Sequence, residues 1–264
     1  MTPGSEARTH SSTSARRPRP RRAIAAATAL ILGSGLPCAR ESPGNEPPRI
    51  LEGSPEGGLP YRLTMAADAT EARPSKVLLW LHPSGGPYLE KVEELASIFL
   101  KHRLALLVIT RKDSFQGWTR NDALKLFGVT LPEVSGIAGI DSRRPILMGF
   151  SAGGQLALKL WHIRPADYSG VILDAAYPFE THPDGEQIPL DLPATEGVTS
   201  VPIFVLVGAK DKGAALWRKT GRTWGKAGVP LTIRYVKGLG HEWLFGDEET
   251  AALDAWLSGL PGAG

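Results

Sequence analysis

The residue of this sequence best suited to nucleophilic chemistry is a serine that lies between glycines. Residues 149–153 read Gly-Phe-Ser-Ala-Gly, a G-x-S-x-G pattern centred on Ser151. Spacing alone proves little in a chain with 30 glycines, so the flanking sequence decides its meaning. An apolar run over 145–148 predicts a strand before the serine, and a helical repeat of apolar residues follows it. This order is typical of a nucleophile elbow, a tight turn that holds the serine in a strained conformation with its hydroxyl exposed.

A base and an acid are the next requirement, because a serine hydroxyl is a weak nucleophile until an oriented histidine accepts its proton. Of the six histidines, His241 alone follows the later strand-like segments, in a glycine-rich stretch over 238–242. Asp211 is the preferred acid; it ends the segment 208–211, which directly follows the apolar run 203–207. Asp174 also ends an apolar run and is the alternative acid. Ligands bind at the carboxyl ends of parallel strands, so these side chains are expected to converge there.

The elements that must position these residues can be read from alternating apolar patterns. Runs of strand length lie at 77–81, 104–109, 145–148, 171–173, 203–207 and 231–236, and segments of helical period separate them. Strands that alternate with helices predict an α/β fold, with a mostly parallel sheet covered by helices on both faces.

Two helices can be predicted in more detail. An apolar stripe at i, i+3, i+4 and i+7 predicts one helix before the strand at 104–109; its members are Val92, Leu95, Ala96 and Phe99. The last helix should begin at Asp247, interpreted as a capping residue, and end at Gly259. Its predicted buried face consists of Ala252, Leu253, Trp256 and Leu257.

With these motifs in this order, the chain resembles the α/β-hydrolase superfamily over about residues 60 to 258. It is most similar to the small, lid-poor branch that contains carboxylesterases, acyl-protein thioesterases and dienelactone hydrolases. Dienelactone hydrolases use a cysteine nucleophile where this chain has Ser151. The resemblance therefore implies cleavage of esters or thioesters by Ser151, Asp211 and His241, with no metal or organic cofactor.

The resemblance also implies an oxyanion hole made of two backbone N–H groups. One belongs to Ala152, which follows the nucleophile. The other comes from the loop after the strand at 77–81, where Pro83 has no N–H to donate. Ser84 is therefore predicted as the second donor, and His82 is interpreted as a structural residue of the same loop.

The segment 175–200 bears on the substrate. It contains Pro178, Pro183, Pro189 and Pro193 and only weak helical period, so no large helical lid is expected. An open site would suit short or bulky soluble esters, and the expected partner is a small-molecule ester. Two alternatives remain at this point: a serine peptidase of the prolyl-oligopeptidase type, and a catalytically silent protein of this fold that binds a ligand.

Charge along the chain argues against a nucleic-acid partner. The chain carries 30 Lys and Arg, 27 Asp and Glu, and a formal charge of +3. Residues 1–38 contain six arginines and one acid, which leaves 24 basic and 26 acidic side chains, or a formal charge of −2, for the remainder. That remainder shows no basic stripe, so nucleic-acid binding is not expected.

The basic N-terminus is better explained as an export signal. Its arginines precede an uncharged apolar stretch over 23–32 that ends at Gly33, the order of a signal peptide, so residues 1–38 are predicted to direct export. Arg21-Arg22 leaves twin-arginine export open beside the general route. Cys38 resembles the lipidated cysteine of bacterial lipoproteins, and a free thiol is the alternative. Residues 39–48 are predicted to be a flexible linker and 49–260 the hydrolase domain; the sequence does not indicate an oligomeric state.

Overall fold

The computed structural model describes residues 46–110, 117–181, 186–195 and 197–260. The predicted signal segment, Cys38 and residues 39–45 of the predicted linker lie outside the described residues. Those that are described belong to one compact unit. Among them, no helix is both long and apolar enough to cross a membrane.

The strands follow one another along the chain with helices between most of them. Their bounds are β1 (Arg49–Gly53), β2 (Tyr61–Met65), β3 (Ser75–Leu81), β4 (Leu104–Ile109), β5 (Ile140–Phe150), β6 (Gly170–Asp174), β7 (Phe179–Thr181), β8 (Gln187–Pro189), β9 (Ile203–Gly208) and β10 (Leu231–Val236). All but β7 and β8 form an eight-stranded sheet in the order β1-β2-β4-β3-β5-β6-β9-β10. The pairs β1–β2 and β2–β4 are antiparallel, and the other pairs in this sheet are parallel. The predicted α/β fold with a mostly parallel sheet is thus confirmed.

The helices lie on both faces of this sheet. Their bounds are α1 (Leu89–Glu93), α2 (Ala96–Lys101), α3 (Arg120–Lys125), α4 (Leu131–Ser135), α5 (Ala152–Ile163), α6 (Gly213–Lys226) and α7 (Asp247–Ser258). A π-helical turn, Leu126–Thr130, joins α3 to α4. One core layer includes apolar side chains of α5 and α6, and the other includes those of α1, α2 and α7. Burial on both faces explains why the central strands are continuous apolar runs.

Two predictions about helices need correction. The stripe predicted as one helix belongs to two short helices, α1 and α2, because the chain tightens where Leu95 N–H donates to Val92 O, 3.1 Å away. Its residues Val92, Leu95 and Phe99 are nevertheless buried as predicted. In α7, Gly246 occupies the capping position and Asp247 is the first helical residue, with no side-chain cap. Its carboxylate instead lies in the first turn, where the helix dipole favours negative charge.

The segment between β6 and β9 holds the short antiparallel pair β7–β8 and a 3₁₀ turn, Val198–Ser200. Its described part, which excludes 182–185 and 196, contains no α-helix. The carboxyl edge of the sheet is therefore flanked here by a hairpin and not by a helical layer.

Candidate active site

Ser151 lies in the turn between β5 and α5. Its backbone has φ 50° and ψ −116°, a strained combination for a residue with a side chain. The flanking glycines permit this turn: a Cβ at Gly149 would lie 2.4 Å from the Gly153 carbonyl carbon, and a Cβ at Gly153 would lie 1.8 Å from Leu81 O. Strand and helix therefore approach more closely here than any side chain would allow.

Backbone contacts fix the elbow in place. Ser151 N–H donates to Asp174 O at 2.9 Å, which ties the turn to the end of β6. Ser151 O accepts from Gln155 N–H at 2.9 Å and so begins α5. Ala152 is the first residue of that helix, and first-turn N–H groups have no acceptor within their own helix. The Ala152 N–H is consequently available to a developing negative charge beside the serine.

Asp211 and His241 come from two loops that pack on each other. Lys210 N–H donates to Leu239 O at 2.9 Å, joining the loop after β9 to the loop after β10. Gly208, at the end of β9, leaves no room for a side chain, since a Cβ there would lie 2.2 Å from Gly240 O. This close contact brings the histidine loop over the end of β9, beside the aspartate.

The structure brings the three predicted residues into one hydrogen-bonded series. Ser151 Oγ lies 2.8 Å from His241 Nε2, and His241 Nδ1 lies 3.0 Å from Asp211 Oδ2. The second carboxylate oxygen, Oδ1, accepts from Gly213 N–H at 2.9 Å. The Asp211 side chain is 1% exposed, whereas that of His241 is 41% exposed. A buried, fixed acid thus faces a base that substrate and water can reach.

Asp174, the alternative acid, is not in this series. Its Oδ2 accepts a long hydrogen bond, 3.4 Å, from Leu244 N–H, and its Oδ1 has no hydrogen-bond partner among the described residues. The side chain is fully buried, and burial raises the pKa of Asp174 well above its usual range. A buried acid that does not contact the imidazole cannot orient it, so the geometry favours Asp211.

The predicted oxyanion loop, residues 82–86, lies next to the start of α5. A Cβ at Gly153 would lie 2.6 Å from His82 O, so this loop touches the first turn of the helix. Ser84 Oγ and Ala152 Cβ lie 3.0 Å and 3.8 Å from the position that a Cβ would take at Gly117. Ser84 and Ala152 therefore border the same residue, and the donation of both N–H groups to an oxyanion stays a prediction.

His82 is buried within that loop and holds it. Its Nδ1 lies 2.7 Å from Pro83 O. The ring stacks on Trp118 at 4.7 Å between centroids, and Trp118 Nε1–H donates to His82 O at 2.9 Å. These contacts agree with the structural role expected from the sequence.

Tyr177 is the residue of the site that the sequence analysis missed. Its hydroxyl oxygen lies 2.7 Å from His241 Nδ1. Burial raises the pKa of Tyr177, and a hydrogen bond to Asp211 and the charge of that carboxylate raise it further. The only sequence signal was its position, three residues beyond β6 at the carboxyl edge of the sheet. Its ring and that of Phe150 lie 5.3 Å and 6.1 Å from the imidazole, giving the base aromatic neighbours.

Comparison with known proteins gives structural relatives only. No protein-family model and no curated protein matches the sequence. A ferulic acid esterase from the anaerobic fungus Anaeromyces mucronatus is similar with a TM-score of 0.63 at 16% identity, over 85% of this chain and 94% of that chain. S-formylglutathione hydrolase from Staphylococcus aureus has a TM-score of 0.56 at 17% identity, over 80% and 95%. A candidate dienelactone hydrolase from Klebsiella pneumoniae has a TM-score of 0.60 at 13% identity, over 80% of this chain and 99% of that chain. These likenesses and the strand order show that the chain has the α/β-hydrolase fold.

Proposed function

We propose that this protein is a serine hydrolase that cleaves carboxylic esters of small molecules. Ser151 is the nucleophile, His241 the general base, and Asp211 the acid that orients the base. The observation that carries the proposal is the hydrogen-bonded series of these three side chains, with contacts of 2.8 Å and 3.0 Å, at a strained turn. Strain of this kind persists only where the surrounding structure maintains it, and it clusters at active sites.

Acylation follows from this geometry. His241 Nε2 accepts the hydroxyl proton of Ser151 while Oγ bonds to the ester carbonyl carbon, and the carbonyl π electrons move to the oxygen. Asp211, hydrogen-bonded to Nδ1, stabilises the imidazolium. The N–H groups of Ala152 and Ser84 donate to the oxyanion. When the carbonyl reforms, the bond to the alkoxy oxygen breaks, and Nε2 returns the proton so that the alcohol leaves.

Deacylation repeats the sequence with water. His241 Nε2 accepts a proton from a water molecule as its oxygen attacks the acyl carbon, and the tetrahedral intermediate then expels Ser151 Oγ. The serine regains its proton from Nε2, and the carboxylic acid is released. Every proton in this cycle passes through Nε2, so the 41% exposure of the His241 side chain suits its exchange with water and alcohol.

The names of the structural relatives support this reaction class. Two of the proteins compared are named as an esterase and a hydrolase, and a carboxylesterase from Bacillus cereus shares the fold with a TM-score of 0.51 at 17% identity. With Ser151 present where dienelactone hydrolases use cysteine, cleavage of ordinary carboxylic esters is the proposed reaction.

We also propose that the enzyme works after export. The support is the segregation of six arginines from the apolar stretch 23–32 within residues 1–38. Fractionation of producing cells checks this: the esterase activity should accompany the exported fraction and require residues 1–38.

The direct test is labelling with a fluorophosphonate probe, together with hydrolysis of short-chain p-nitrophenyl esters. Ser151→Ala and His241→Ala should each abolish labelling and lower kcat by about 10⁶. Asp211→Asn should lower kcat by about 10⁴, because the amide no longer holds the required tautomer. Asp174→Asn should stay within about threefold of wild type, since its side chain does not contact the imidazole.

Matched controls separate chemistry from folding. Ser135→Ala removes a hydroxyl that donates to Pro132 O, and His162→Ala removes an imidazole that contacts Asp191 O, both outside the site. Both variants should label and turn over like wild type. If folded wild-type protein neither labels nor hydrolyses any ester, the hydrolase proposal is wrong and a ligand-binding protein of this fold takes its place.

A further inference from the structure

The hydroxyl of Tyr177 lies where the base and the acid of the series meet. Its oxygen is 2.7 Å from His241 Nδ1, and the same nitrogen is 3.0 Å from Asp211 Oδ2. Asp211 also raises the pKa of Tyr177, as a hydrogen-bond acceptor and as a negative charge. Tyr177, Asp211 and His241 Nδ1 therefore form a triangle of polar groups on the side of the imidazole that faces away from Ser151.

The protons in this triangle can be assigned from the chemistry of its members. An ionised carboxylate can only accept, so the tyrosine O–H and the histidine Nδ1–H both have it as an acceptor. If the O–H donated to Nδ1 instead, the ring would carry its proton on Nε2 and could not accept one from Ser151. When the Tyr177 O–H donates its hydrogen bond to Asp211, the hydroxyl oxygen can accept a hydrogen bond itself. It is then a second acceptor for Nδ1–H, beside the carboxylate.

The tyrosine ring is fixed firmly enough to act on the histidine. A Cβ at Gly213 would lie 2.2 Å from Tyr177 Cδ1, so the start of α6 packs directly on the ring. The buried Trp217 Nε1–H donates to Ala176 O at 2.7 Å and holds the preceding residue. Lys212 Nζ lies 5.5 Å from the ring centroid. The His241 side chain, in contrast, is 41% exposed.

We propose that Tyr177 is a positioning residue of the reaction: its hydroxyl donates to Asp211 and accepts from His241 Nδ1–H, which holds the exposed imidazole with Nε2 toward Ser151. The inference rests on the proposed hydrolase function. Tyr177 touches no reacting atom and acts through His241 alone. Its loss should therefore affect the rate of the chemical step more than substrate binding.

Tyr177→Phe is the decisive variant because it keeps the ring and its packing and removes only the hydroxyl. We expect kcat to fall about tenfold, equivalent to about 1.4 kcal/mol, while KM stays within twofold. The matched control is Tyr61→Phe on β2. It removes a tyrosine hydroxyl that donates to the Glu133 carboxylate at 3.1 Å. That variant should leave kcat unchanged.

Two kinetic results for Tyr177→Phe would by themselves overturn the inference. One is a Tyr177→Phe enzyme with wild-type kcat. The other is a rise in KM at unchanged kcat, which would make Tyr177 a substrate-binding residue. A kcat loss that Tyr61→Phe reproduces would likewise contradict it, because the effect would then follow from lost stability.

A spectroscopic readout keeps this test independent of turnover. In Ser151→Ala protein, the ¹H NMR signal of the His241 Nδ1 proton should shift and exchange faster with water when Tyr177→Phe is added. An unchanged signal refutes the positioning role even in an inactive protein. Absence of labelling in wild type would instead count against the hydrolase proposal, so the two failures can be told apart.

Discussion

Two aspartates at the carboxyl edge of this sheet differ because their surroundings differ. Asp211 is buried but accepts from Gly213 N–H and lies beside His241, so its negative charge is compensated. Asp174 is also buried, but among the described residues its carboxyl group has only a 3.4 Å contact with Leu244 N–H. Burial with so little hydrogen bonding raises the pKa of Asp174 well above its usual range, since desolvation penalises the charged form.

This difference predicts how stability depends on pH. The pKa of Asp174 is raised in the folded protein by burial, so the folded state retains a proton that the unfolded chain releases above about pH 4. Stability is therefore lost as pH rises from there toward the folded-state pKa, by about 1.4 kcal/mol per pH unit. Asp174→Asn removes this loss because an amide does not titrate. The free energy of unfolding of Asp174→Asn minus that of wild type, measured by urea unfolding, should therefore be greater at pH 6.5 than at pH 4.5.

Asp141 provides a control of opposite sign. Hydrogen bonds from Arg143 lower the pKa of Asp141, so that carboxylate stabilises the fold above its unfolded pKa and loses this contribution as pH falls. Asp141→Asn should therefore reduce stability at pH 6.5 and approach wild type at low pH. A pH-independent difference between Asp174→Asn and wild type would contradict a raised pKa of Asp174 in the folded protein.

At the scale of elements, the approach of α5 to β3 is the contact that builds the site. A Cβ at Gly153 would lie 1.8 Å from Leu81 O and 2.6 Å from His82 O. Gly153→Ala must therefore push the helix away from the oxyanion loop. We expect it to lower the free energy of unfolding by about 3 kcal/mol and kcat by about 100-fold or more, measured by thermal unfolding and ester hydrolysis.

Gly225→Ala is the matched control for that substitution. Gly225 lies within α6, and a Cβ there would meet no atom within 4 Å. Because alanine has a higher helix propensity than glycine, the free energy of unfolding of this variant should rise by about 0.5–1 kcal/mol, and its activity should not change. A Gly153→Ala protein as stable and active as wild type would show that β3 and α5 do not require this close approach.

The elements that were predicted from the sequence are those whose burial leaves a simple pattern. The six predicted strands all occur. In five of them both faces are covered, which makes them continuous apolar runs; β10 is a partly buried edge strand whose sequence includes polar residues. Strands β1 and β2 were missed: β1 is a largely exposed edge strand, and its sequence Arg-Ile-Leu-Glu-Gly resembles a polar loop. Tyr177 was missed because its place depends on Ala175 at φ 46° and on packing against Gly213, neither of which leaves a periodic signal.

For the whole molecule, the surface around the site bears on which esters reach it. Among the described residues, the large hydrophobic side chains that are exposed are Ile50, Tyr88, Leu124 and Ile163. They belong to four separate parts of the fold, and Tyr88 lies near the site, 5.4 Å from Phe150 between ring centroids. A protein that docks on a lipid interface needs a contiguous apolar patch. The formal charge of −2 over residues 39–264 gives no electrostatic attraction to anionic lipid either.

We therefore expect a preference for short, soluble esters. In a series of p-nitrophenyl esters from acetate to palmitate, kcat/KM should be at least about tenfold higher for the shortest acyl chains, because the exposed large hydrophobic side chains of the described residues are scattered and offer a long chain little apolar area to bury. With tributyrin, the rate should rise smoothly with concentration through the solubility limit. A sharp rise at that limit, or faster cleavage of long-chain triglyceride than of short-chain esters, would mean that an apolar surface becomes exposed at the interface, and the open, hairpin-flanked site would then be an incomplete description of the working enzyme.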